Sequence, residues 1–415
     1  MTAFVPRPTR RRALLNGLAL GCSAAASPLL TPITLASAPW DNRFVVVLLR
    51  GGMDGLDVVR PLGDTDFAAA RQGALADGNS LPLGNGFFGL HPALQPLMPL
   101  WEAKELAFAH AVSTPYRDRR SHFDGQDMLE AGTGFGDGSP SARDGWLNRM
   151  LQQVPGVTAE TAFAIGRGRT MLLEGAAPAS SWAPEARLRM SSQAERLLGV
   201  MYERDALFHA AAEEAIALAE ATANTPELED MVAEADGMSG SAAANAPRSG
   251  ARGHVALASF AAARLREETR IAAFSLIGWD THNRQDTALP RALGRLSDVL
   301  LALKAGLGPI WEKTTVVAMT EFGRTVRENG TRGTDHGTGG AMVLAGGAVK
   351  GGRVHGHWPG LTEADLYDGR DLMPTEDVRS YAAAAMRGLF GLDRATLEDV
   401  VFPGLDMGQV GRVLL

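Results

Sequence analysis

Four short segments concentrate the residues able to do chemistry. Asp54 and Asp57 follow Arg50-Gly51-Gly52-Met53, where the paired glycines permit a tight turn. Asp280 and His282 stand in Gly278-Trp279-Asp280-Thr281-His282-Asn283. Asp335 and His336 stand in Gly333-Thr334-Asp335-His336-Gly337, shortly after Glu321-Phe322-Gly323-Arg324. Carboxylates and imidazoles gathered together are the donor set of a divalent cation of the zinc or manganese kind. Taken singly, Asp-Gly is a turn and Asp-x-His an ordinary surface pattern; the argument lies in their joint placement after apolar runs. The fourth segment, Arg117 to Met128, contains Ser121-His122-Phe123-Asp124. Ser121 with Asp124 three residues on has the form of a helix N-cap. The same serine, at a helix N-terminus among Arg117, Arg119 and Arg120, is also placed to attack an anionic ester. Both readings stand.

The elements that must position these groups are short and apolar throughout. Phe44 to Leu49, Leu106 to Val112, Ile271 to Ile277, Thr314 to Met319 and Ala341 to Ala345 read as buried parallel strands. Helical patterns alternate with them. Leu289, Leu293, Leu296, Leu300 and Leu303 form one apolar stripe, and further helices are expected near Val255 to Arg266 and Glu376 to Leu389. Such alternation predicts a parallel sheet covered on both faces, with function beyond the C-terminal ends of its strands. The Ala/Glu-rich stretch Ser192 to Ala223 predicts a helical insertion or cap over about residues 150–252, ending in a flexible loop at about 235–252.

Residues 1–38 carry four arginines and no acid. Thr9-Arg10-Arg11-Arg12, an apolar stretch from Ala13 to Ala26 and the small residues Ala36-Ser37-Ala38 follow the order of a twin-arginine export signal, cut after Ala36 or Ala38. The one cysteine, Cys22, falls inside it. The expected mature chain, 39–415, is a single domain without a thiol, so any ion must be held by Asp, Glu and His. It has 36 basic against 47 acidic residues, a net charge of −11. That balance excludes nonspecific binding to nucleic acid or an anionic membrane. The segment is too short and Gly/Ala-rich for a comfortable membrane span, and no span is expected after processing. No Gly-rich dinucleotide fingerprint, P-loop or G-x-S-x-G elbow occurs at the strand ends.

The signal, Arg50-Gly51-Gly52-Met53-Asp54-Gly55, Arg120-Ser121-His122-Phe123, Gly278-Trp279-Asp280-Thr281-His282, Glu321-Phe322-Gly323-Arg324-Thr325, Asp335-His336 and Leu344-Ala345-Gly346-Gly347 together resemble the exported bacterial family catalogued as domain of unknown function 1501. That family is similar, more remotely, to the alkaline phosphatase and sulfatase superfamily. The resemblance implies a three-layer α/β/α sandwich with a mostly parallel central sheet. It also implies that Asp54 with Asp335 and His336 forms one metal site and that Asp280 with His282 contributes to a second. Ser121-His122 would occupy the nucleophile's place, in a segment similar to that of the cofactor-independent phosphoglycerate mutases. The pair Asp280-x-His282 is closer than the superfamily's Asp-x-x-x-His. The last metal histidine has three candidates, His355, His357 and His122.

The expected function is therefore an exported, periplasmic or secreted hydrolase of phosphate or sulfate esters, using one or two divalent ions and Ser121 as nucleophile. Arg117, Arg120, His122 and Arg324 are the candidate groups for an anionic small-molecule or polymer substrate, Arg324 either binding that anion or pairing with an acid. The twin-arginine machinery is the expected export partner. A noncatalytic exported binding or structural protein and a metal-assisted isomerase or transferase are the alternatives on the same fold.

Overall fold

The computed structural model describes residues 40–71, 79–84, 86–117, 119–134, 143–166, 170–182, 253–408, 410–411 and 413–415. Its strands in chain order are β1 (Arg43–Leu49), β2 (Val59–Arg60), β3 (Leu81–Pro82), β4 (Gly89–Leu90), β5 (Leu106–Ser113), β6 (Ala162–Ile165), β7 (Ser180–Trp182), β8 (Ile271–Leu276), β9 (Thr314–Met319), β10 (Gly340–Ala345), β11 (Arg353–His355) and β12 (Glu376–Asp377). The helices that matter below are α1 (Gly55–Val58), α2 (His122–Ala131), α3 (Trp146–Gln152), α4 (Gly253–Leu265), α5 (Gln285–Leu307) and α6 (Val378–Phe390).

Among the described residues nine strands form one sheet in the order β11-β5-β10-β9-β1-β8-β6-β7, with β12 paired to β5; β2, β4 and β3 make a small antiparallel sheet. Side chains alternate across β1. Val45, Val47 and Leu49 pack with α4 and α5, whereas Phe44, Val46 and Leu48 pack with α3 and α6. Both faces are covered, which is why the strands are apolar throughout. The result is the expected three-layer α/β/α sandwich. In α5 the stripe Leu289, Leu293, Leu296, Leu300 and Leu303 is buried against the sheet.

All five expected strands form, but one runs the other way. β10 pairs antiparallel with both β5 and β9, while the other central strands are mutually parallel. An apolar run reads the same in either direction, so its sequence carries no sign of this. The reversal matters for function. The edge where β1, β5, β8 and β9 end is the edge where β10 begins, so Asp335 and His336 reach that edge by preceding a strand.

A second correction concerns the insertion. β6 pairs with β8, and β7 with β6, so Ala162–Ile165 and Ser180–Trp182 extend the central sheet and are not part of a separate cap. The expected helix at 192–223, the loop at 235–252 and the export signal at 1–38 lie outside the described residues. Among the described residues no helix is long and apolar enough to cross a membrane.

Candidate metal centre

The loops leaving β1 and β8 touch because of one glycine. Gly51 has φ +125°, and a Cβ there would lie 2.5 Å from the backbone nitrogen of Asp280. Arg324, fully buried, then ties the loops together. It donates through Nε to Gly52 O (2.6 Å), through Nη1 to Thr334 O (3.0 Å), and through Nη2 to Trp279 O (3.1 Å) and Asp280 Oδ1 (2.6 Å). With the guanidinium so occupied, Arg324 is a brace that pairs with an acid, not a free anion-binding group.

Asp280 is the centre of the cluster. Its Oδ2 is 3.4 Å from His122 Nε2, and its Oδ1 is 3.1 Å from His282 Nε2 and 3.3 Å from His336 Nε2. One ligand atom each from His122, Asp280 and His336 lies within 4.8 Å of the others. Bonds of about 2.0–2.1 Å in a tetrahedral zinc site put neighbouring ligand atoms about 3.3 Å apart, close to the distance of each ring nitrogen from its nearer Asp280 oxygen.

The outer hydrogen bonds decide what the rings can do. His122 Nδ1 lies 2.8 Å from Glu321 Oε1, His282 Nδ1 3.0 Å from Asp335 Oδ1, and His336 Nδ1 3.0 Å from Arg120 O. Each partner is an acceptor, so each Nδ1 carries the hydrogen and each Nε2 of a neutral ring presents a lone pair to Asp280. Two consequences are visible. His122 Nε2 is buried without a hydrogen-bond partner. His282 Nε2 and His336 Nε2 are 2.8 Å apart, a contact of two lone pairs unless a proton or cation is shared between them. Both features fit a metal ion.

The charges fit as well. Asp280, Glu321 and Asp335 stand against Arg324, leaving two negative charges when the imidazoles are neutral. Burial opposes ionisation of Asp280, but His122, His336 and Arg324 outweigh it and hold its carboxyl well below the usual range. Burial likewise opposes ionisation of Glu321 and is overcome, first by His122. Asp335, more exposed, is lowered chiefly by the Asn329 amide. For His122, burial favours the neutral ring, yet Asp280 and Glu321 together push it up to about 9.

Residues 107–401 match the family described as protein of unknown function (DUF1501). The chain belongs to that family. No curated protein matches it. Two solved structures similar to parts of it are a Ps i-CgsB complex with k-i-k-neocarrahexaose and a TAB5 alkaline phosphatase mutant with magnesium in its M3 site. The first is 8% identical with a TM-score of 0.38, covering 86% of this chain and 74% of that one. The second is 11% identical with a TM-score of 0.31, covering 74% and 91%.

Within this DUF1501 chain the expected ligands divide. Asp280, His282 and His336 come together, and of the three candidates for the last imidazole the structure brings in His122. His355 lies on β11, its ring 5.9 Å from that of Tyr381, pushed down to about 4 by burial and then by Arg353 and Lys350. It does not reach the cluster. His357 is exposed at a turn, where its carbonyl accepts from Thr375. Asp335 stands behind His282 as its acceptor.

Asp54 is elsewhere too: it caps α1 and accepts from Arg71 Nη1 (2.9 Å), Arg71 Nη2 (3.1 Å) and Gln285 Nε2 (2.6 Å), all buried. Its oxygens are occupied, so the expected site of Asp54 with Asp335 and His336 is not assembled. Ser121 is the N-cap of α2, accepting from Asp124 N at 3.4 Å. Arg117 donates to Tyr116 O (2.7 Å) and Ser113 Oγ (3.0 Å), bracing its own loop. Arg120 is exposed, with φ +54°, and its carbonyl orients His336. Glu321 was legible only as an acid following a buried strand; Arg71, Gln126 and Asn329 carried no signal, because their roles depend on partners distant in sequence.

Proposed function

We propose that the chain holds one divalent cation, of the zinc or manganese kind, on His122, Asp280 and His336 with His282 beside them, and uses it to hydrolyse phosphate or sulfate esters after twin-arginine export. The supporting observation is the set of three imidazoles whose Nδ1 atoms are held by oxygen acceptors while their Nε2 atoms turn toward one carboxylate. A bound ion of this kind supplies Lewis-acid polarisation and lowers the pKa of a hydroxyl or water.

The chain's own residues supply the rest. Ser121 directly precedes His122, at the N-terminus of a ten-residue helix whose free N–H groups favour an anionic oxygen. In this reading Ser121 Oγ attacks the phosphorus or sulfur, the ester's alcohol departs, and water then releases the anion from the serine. Arg120, exposed beside His336, pairs with the substrate's peripheral oxygens. Elemental analysis of the signal-free chain, followed by assays on an aryl phosphate and an aryl sulfate, tests the reading. Ser121→Asn keeps an N-cap and removes the nucleophile, so it is expected to retain metal and lose turnover. Full hydrolysis in that variant would remove Ser121 from the role.

One observation favours a noncatalytic alternative. The Ser121 hydroxyl serves as a cap, and Arg117 and Arg324 are committed to their own loops. In that case the cation fastens the loops after β5 and β8 to the one before β10; its removal lowers the melting temperature, and no ester is turned over.

A further inference from the structure

We infer that Gln126 and Asn329 are positioning residues for the ion site, each presenting its amide N–H to the carboxylate that holds a histidine ring. The inference rests on the metal centre proposed above and deepens it.

The orientation of each amide follows from its partners. Gln126 Oε1 accepts from Arg50 Nη1 at 2.6 Å, and an arginine can only donate, so Gln126 Nε2 faces Glu321 Oε1 at 3.1 Å. Arg50 is itself held by Glu130 Oε1 (2.6 Å) and Ser275 Oγ (2.9 Å). Glu321 also accepts from Gly51 N (2.8 Å) and Thr320 Oγ1 (3.0 Å). The Thr320 hydroxyl accepts in turn from Met53 N at 3.0 Å, so its hydrogen is free for Glu321. Glu321 is thus met by donors on every side described. It can offer His122 Nδ1 only a lone pair, and His122 Nε2 is left bare toward Asp280.

A second, independent relay stands behind His282. Asn329 Oδ1 accepts from Thr331 N and Gly333 N, both at 3.0 Å, which turns its Nδ2 toward His282 O (2.9 Å) and Asp335 Oδ1 (3.1 Å). Asp335 then offers its lone pair to His282 Nδ1. The two relays share no residue, one running through a helix under the site and the other through an exposed loop, yet both leave an Nε2 lone pair facing the same carboxylate.

Gln126→Glu and Asn329→Asp are isosteric tests. Each keeps the bonds to the accepting oxygen and replaces the donor with a second carboxylate oxygen against Glu321 or Asp335. Two facing carboxylates repel or share a proton, which shifts Glu321 or Asp335 and weakens its hold on the ring. Zinc affinity of the signal-free chain, and the visible absorption of its cobalt(II) form as a report on coordination, are the readouts. The expected result is a loss of about 10- to 100-fold in affinity for either variant, with a changed cobalt spectrum and an unchanged circular dichroism spectrum. Should Gln126→Glu fail to fold, Gln126→Met removes the donor without adding charge, and a loss of about tenfold is expected. Wild-type affinity and spectrum in the folded variants would overturn the relays and leave the metal centre standing. A wild-type chain that takes up neither zinc nor cobalt would overturn both.

Discussion

Two acid clusters lie at the same edge of the sheet, and their difference shows what makes one of them a candidate site. Around Asp54 the carboxylates are fully buried, and guanidinium groups neutralise them. Arg71 pairs with Asp54, Arg60 with Asp57 at 2.8 Å, and Gln285 bridges the two acids. Around Asp280 the buried Arg324 guanidinium is outnumbered, the carboxylate is about half exposed, and the Nε2 atoms of three imidazoles face it. The presence of aspartates does not separate the clusters. Supply of donors does: the first has enough N–H groups to satisfy its oxygens, and the second has an excess of lone pairs that a cation would satisfy.

The sharpest break in this comparison is Arg71→Met. Leaving Asp54 buried and unpaired is expected to cost about 3–5 kcal/mol in chemical unfolding, with zinc affinity of the folded fraction unchanged. A large loss of affinity at intact stability would mean that Asp54 is a ligand after all. Asp280→Asn should do the reverse, losing zinc by more than about 100-fold in a titration while changing the unfolding midpoint little. Gly51→Ala comes next: its Cβ would press on Asp280 N from a left-handed backbone position, at about 1–3 kcal/mol, and pull Asp280 from its place. A melting temperature and zinc affinity both equal to wild type would show that the two loops move independently.

The last effect is on pH. In the metal-free chain His122 titrates near 9, above the ordinary value of 6.5, so the folded state binds its proton more tightly than the unfolded state does. Its contribution to stability is therefore complete below about pH 6.5 and is lost as pH rises through about 9. A metal must displace that proton, so zinc affinity should rise by up to about tenfold per pH unit over the same interval. Affinity flat with pH would remove His122 Nε2 from the ligand set.

Much of this was legible in the sequence. The apolar runs marked five central strands, because burial on both faces leaves no other composition. The Asp-x-His and Asp-His pairs marked the edge where they meet. The direction of β10 was not legible, since hydrogen-bond polarity leaves no trace in an apolar run. Nor was the division between Asp54 and Asp280: it is set by Arg71 and Gln285, which occupy the Asp54 oxygens from 17 and 231 residues away. His355 looked suitable by type and by its glycine-rich turn. Its strand instead pairs with β5, and its ring packs on Tyr381.

The most direct test of the account is anomalous scattering at the zinc edge from crystals of the signal-free chain grown with zinc. The account predicts one strong peak about 2.0–2.1 Å from His122 Nε2, His336 Nε2 and an Asp280 oxygen, and none at Asp54. A peak at Asp54 and Asp57, or no peak near Asp280, would contradict it.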